Sequence, residues 1–63
     1  MRTSEIRKLD RTVIDYDKFL EIVKGRNIEK YDLVGQSVLN SNMLWFYVVT
    51  KTGELFNFNV TNY

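Results

Sequence analysis

The chain has no cysteine, no histidine and no proline, and only three glycines. Without cysteine no disulfide can staple the fold. Without cysteine and histidine the usual ligands of a structural zinc site are missing. The commonest general base is absent, and so is the thiol nucleophile. Ser4, Ser37 and Ser41 have no imidazole to activate them, which excludes an acyl-transfer triad. Gly25, Gly35 and Gly53 are dispersed and make no phosphate-binding loop. No apolar run approaches the length of about 18 residues that marks a membrane span. The first residues also lack the apolar stretch of a signal peptide, so a cytoplasmic location is the expectation. Asn59-Val60-Thr61 matches a glycosylation acceptor, which counts as chance in that compartment.

The acidic residues offer little chemistry. Asp15 and Asp17 are the nearest carboxylate pair, but they stand where a helix begins, and acids favour that end of the helix dipole. Asp10, Asp15 and Asp17 lack the glycine and the closing glutamate of a calcium loop. A chain this short has little room for a substrate pocket of several hundred Å³. The expectation is a protein with no catalytic centre, no cofactor, no metal and no small-molecule substrate.

What is present fits one domain. Sixty-three residues bury only about 60% of the unfolded surface on folding, so a well-packed core and self-association are the available sources of stability. Net charge is +1, too small to imply nucleic acid or an anionic membrane. The charge is nevertheless segregated. Residues 1–30 carry eight Lys/Arg and six Asp/Glu, whereas residues 31–63 carry one Lys and two acids. In the first half Arg7, Lys8, Arg11, Lys18, Lys24, Arg26 and Lys30 are interleaved with acids, as on a mixed solvated surface. The abundance of Phe, Tyr, Met, Ile, Asn and Lys, all with AT-rich codons, suggests a low-GC bacterium or its phage.

The clearest helix runs from Asp15 to Lys24. Tyr16, Phe19, Leu20 and Val23 recur at the spacing of one apolar stripe. Asp15 suits the N-cap, Ile14 and Phe19 suit a hydrophobic staple, and Gly25 suits a left-handed helix end. Residues 4–14 are ambiguous. Ile6, Leu9, Val13, Tyr16, Leu20 and Val23 form a heptad-like seam that fits one helix from Ser4 to Lys24, supported by Arg7–Asp10 and Arg11–Asp15 pairs. The β-branched run Thr12-Val13-Ile14 favours instead a break near residues 10–14, with a short helix or a strand ahead of the main helix.

The C-terminal half reads as a three-stranded antiparallel meander, with strands near 31–39, 43–50 and 54–61 and turns at 40–42 and 50–53. Thr50-Lys51-Thr52-Gly53 suits a type I turn whose glycine takes positive φ. Its register puts Val48 opposite Phe56, Phe46 opposite Phe58 and Leu44 opposite Val60, all on one face. The fold class expected is α+β, one main helix packed on that meander.

The same register gathers Trp45, Tyr47 and Val49 on the other face, opposite Asn59, Asn57 and Leu55. One helix covers one face, and it should take the more apolar one. Trp and Tyr are enriched at interfaces because they join a large apolar area to a polar tip. The expected role is a non-catalytic protein–protein interaction module, acting as a homodimer or as a small inhibitor or modulator of a partner. Its contact residues would be Trp45, Tyr47, Val49, Asn57 and Asn59. Two alternatives stand beside it. Residues 1–14 would cover this face as a second layer, or bases of a single-stranded nucleic acid would stack on Trp45 and Tyr47. The second suffers from the lack of cations to follow a phosphate backbone, since the sheet half offers only Lys51.

Overall fold

The computed structural model describes residues 2–38 and 42–63. Leu39, Asn40 and Ser41, which hold the end of the first expected strand and most of the turn after it, lie outside the described residues. The elements in chain order are α1 (Thr3–Leu9), β1 (Thr12–Asp15), α2 (Tyr16–Val23), β2 (Ile28–Gln36), β3 (Leu44–Thr50) and β4 (Leu55–Thr61). The four strands form one mixed sheet in the order β1-β4-β3-β2.

The single-helix seam from Ser4 to Lys24 is broken, and the break contains both of the expected alternatives, a helix and then a strand. α1 stops at Asp10, whose extended backbone ends the helix. Arg11 then adopts φ 63°, the left-handed region. Thr12-Val13-Ile14-Asp15 follow as a strand, as β-branched residues favour. The expected Arg7–Asp10 and Arg11–Asp15 pairs do not form. Arg7 instead makes a bidentate ion pair with Glu54 at 2.9 Å, tying α1 to the turn before β4. Both partners are well exposed, so the pair contributes at most about 1 kcal/mol.

α2 restarts where the cap residue says it should. The Asp15 carboxylate accepts the Lys18 amide at 2.8 Å, and the flanking Ile14 and Phe19 are both in the core. The buried stripe is rotated from the expected one: Phe19 and Ile22 are buried and Val23 packs beside them, while Tyr16 is exposed. The left-handed glycine cap is also absent. Gly53 is the glycine with positive φ, and α2 ends in a right-handed turn through Lys24, with the Gly25 amide bonded to the Ile22 carbonyl.

The β3–β4 hairpin has the expected register throughout, Leu44 facing Val60, Phe46 facing Phe58 and Val48 facing Phe56. Its turn closes with the Gly53 amide on the Thr50 carbonyl and Gly53 at φ 89°. The Thr50 hydroxyl accepts the Glu54 amide, which lets this polar residue be buried.

Two corrections to the expected architecture follow. The sheet has four strands and is mixed, because β1 joins it parallel to β4, with Thr12 beside Phe58 and Ile14 beside Val60. There are also two helices among the described residues. Both helices contribute to a core on one side of the sheet, Ile6 from α1 and Phe19 and Ile22 from α2, against Ile14, Val48, Phe56, Phe58 and Val60. Phe46, expected in the core, is only partly buried, with its ring 4.4 Å from that of Phe19. No helix among the described residues is long and apolar enough to cross a membrane.

Candidate functional site on the open sheet face

Because strand side chains alternate, residues next to the core positions face the other way. The register aligns Trp45 with Asn59, Tyr47 with Asn57 and Val49 with Leu55. β1 adds Val13, beside Asn59. The N-terminal segment does not cover this face. α1 buries Ile6 on the opposite side, and β1 lies within the sheet. Trp45 is 38% exposed, and Val13 and Leu55 are about half exposed.

The polar groups here are ordered. The Trp45 indole N–H donates to Asn57 Oδ1 at 3.1 Å. An indole N–H can only donate, so this bond also fixes which way the Asn57 amide points. The Ser37 hydroxyl donates to Asn59 Oδ1 at 2.8 Å, bringing the residue after β2 against β4. On the backbone of β4, the Asn57 carbonyl accepts the Arg11 amide at 2.7 Å. The Asn57 amide donates to Asp10 Oδ1 at 2.8 Å. Asp10 thus extends the β1–β4 ladder by one bond before β1 begins.

That clamp holds Arg11 at the end of α1, in the left-handed conformation normally given to glycine or asparagine after a helix. For an L-residue this conformation costs about 1–2 kcal/mol. Arg11, Val38, Trp45, Asn57, Phe58 and Asn59 line an open hollow of about 400 Å³, larger than the length of the chain led one to expect. A second open hollow of about 610 Å³ lies beside the start of α2, between Leu9, Ile14, Asp15, Asp17, Lys18 and Glu21.

Of the five residues singled out from sequence, Trp45, Asn57 and Asn59 meet at the first hollow. Tyr47 and Val49 lie further along the same face. Sequence reasoning missed Arg11 and Val38. Arg11 reaches Asn57 only through a strand pairing between the two ends of the chain, which no local pattern announces.

Other exposed features are less suited to docking. β2 is a nine-residue edge strand, but it is guarded against strand addition. Two register shifts interrupt its ladder with β3. Glu29, Lys30 and Asp32 line it, and the Asp32 carboxylate accepts the Leu33 amide at 2.7 Å. Bulges and charges of this kind protect sheet edges. On the helix side Tyr16, Tyr31 and Leu33 are exposed, where α2 is too short to roof β2.

The Asp10 clamp gives a direct expectation. Asp10→Ala leaves the part-buried Asn57 amide without its acceptor and should cost about 1–3 kcal/mol. Asp10→Asn keeps an acceptor oxygen and should recover most of the loss in a urea melt.

The chain matches no protein family, no curated protein and no solved structure.

Proposed function

We propose that this chain is a non-catalytic protein–protein interaction module that docks through its open sheet face, either on a second copy of itself or as a small modulator of another protein. The observation that supports this most is the one-sided fold. Both helices are spent on one face, and the other presents Trp45, Val13 and Leu55 to solvent, with the indole held in place by Asn57. Pre-ordered aromatic side chains lose little entropy on docking, and a tryptophan is among the residues that most often carry interface energy. Catalysis has little support, since Asp10 and Asp15, two of the few candidate carboxylates, are occupied with backbone amides.

Trp45→Ala and Tyr47→Ala test the reading. Circular dichroism should show both variants folded. Light scattering, and capture of a partner compared between parent and variants, should show association weakened tenfold or more. A strictly monomeric parent that captures nothing, and that Trp45→Ala unfolds, would make Trp45 an ordinary packing residue and end the proposal. Tight oligonucleotide binding that falls steeply with salt would instead favour the stacking alternative.

A further inference from the structure

The hollow beside Trp45 has a one-sided hydrogen-bonding character. Asn57 Oδ1 is taken by the indole and Asn59 Oδ1 by the Ser37 hydroxyl. Among the described residues the Nδ2 groups of both asparagines have no protein partner, and the Arg11 guanidinium makes no ion pair or hydrogen bond. An amide nitrogen and a guanidinium can only donate. Every unsatisfied polar side-chain group of the three is therefore a donor, and one carries a full positive charge. Trp45 and Val38 supply an apolar wall beside them, with Val38 94% exposed.

We infer that this hollow is a carboxylate-binding site, occupied when the open face docks by an acidic side chain of an extended segment of a partner protein, with the neighbouring apolar side chain of that segment resting on Trp45 and Val38. The inference rests on the docking role proposed above and names its chemistry. Charge complementarity selects the occupant. A guanidinium forms paired bonds with a carboxylate, and the two amide N–H groups satisfy the remaining lone pairs. A single cation matches a single carboxylate, whereas a nucleic-acid strand needs several to follow its phosphates. The backbone points the same way. Arg11 occupies a strained left-handed position that glycine would fill at no steric cost. Strain kept at a position of that kind is a mark of a working side chain.

The probes are two end-blocked tripeptides, acetyl-Leu-Glu-Leu-amide and acetyl-Leu-Gln-Leu-amide, titrated against the full chain with the emission of Trp45, the single tryptophan, as readout. The glutamyl peptide should bind at least tenfold more tightly than the glutaminyl one. Arg11→Gly should melt at or above the parent temperature and lose that preference. Arg11→Lys should keep part of it, since it retains charge without the bidentate fork. Equal affinity of the parent for both peptides, no binding of either, or a preference that survives Arg11→Gly would overturn the inference. So would an oligothymidylate that outcompetes the glutamyl peptide. The broader docking role fails separately: if Trp45→Ala abolishes association and Arg11→Gly does not, the face docks without a carboxylate, and if neither does, the face is not the interface.

Discussion

Replacing Phe58 with alanine should bring the protein close to its unfolding midpoint at 25 °C, with up to about half of the molecules unfolded. Phe58 lies on β4, between β1 and β3, and none of its surface is exposed. Truncating such a ring removes its transfer free energy and opens a void that the surroundings fill only in part, at a cost of about 3–5 kcal/mol. A domain of this size holds roughly 5 kcal/mol in reserve, so a loss of that order consumes most of it. Phe46 faces Phe58 across the hairpin but lies nearer β2, where the helix layer thins, and it is only partly buried. Phe46→Ala should therefore be the milder lesion. Urea melts followed by circular dichroism rank the two directly, and equal losses would mean that α2 covers β2 more fully than described.

Ile6→Ala should be nearly as damaging, at about 2–5 kcal/mol. A seven-residue helix with no side-chain N-cap has almost no stability of its own. It persists because Ile6 is fully buried against the sheet core. Loss of Ile6 should therefore release α1 and with it the Arg7–Glu54 pair, and amide hydrogen exchange should show fast exchange over residues 3–9. Lys8→Ala, on the exposed side of the same helix, should change stability by no more than about 0.5 kcal/mol. If Ile6→Ala melts like the parent, α1 is an ornament and the core is smaller than the buried cluster implies.

What the sequence made legible was whatever two local signals agreed upon. The β3–β4 hairpin was readable because turn chemistry at Thr50–Gly53 and the alternation of Leu44, Phe46, Val48, Phe56, Phe58 and Val60 demand the same register. The start of α2 was readable because Asp15, Ile14 and Phe19 make a cap and a staple in the same place. The failures are non-local. Thr12-Val13-Ile14 has strand chemistry, but its partner is on β4, near the other end of the chain, and nothing in four residues names a partner that distant. Gly25 has the right position for a left-handed cap, yet a tighter right-handed turn already satisfies the last carbonyls of α2. The candidate site divides the same way. Trp45, Asn57 and Asn59 follow from hairpin register, whereas Arg11 is delivered by the parallel pairing that sequence did not show.

That pairing also sets an order of assembly. β4 follows the other three strands in the chain yet sits inside the sheet, with β1 on one side and β3 on the other. Until it is in place, β1 has no strand beside it and the β2–β3 ribbon is a lone two-stranded unit, marginal in water. A nascent chain emerging from a ribosome therefore cannot assemble this domain stepwise from its N-terminus. It must hold residues 1–50 in an unfinished state, with Ile14 and Val48 lacking their cover, until residues 55–61 are free of the exit tunnel. Closing so long a loop is slow compared with local contacts. A chain halted near residue 54 would be a substrate for chaperones and proteases rather than a smaller version of the same protein.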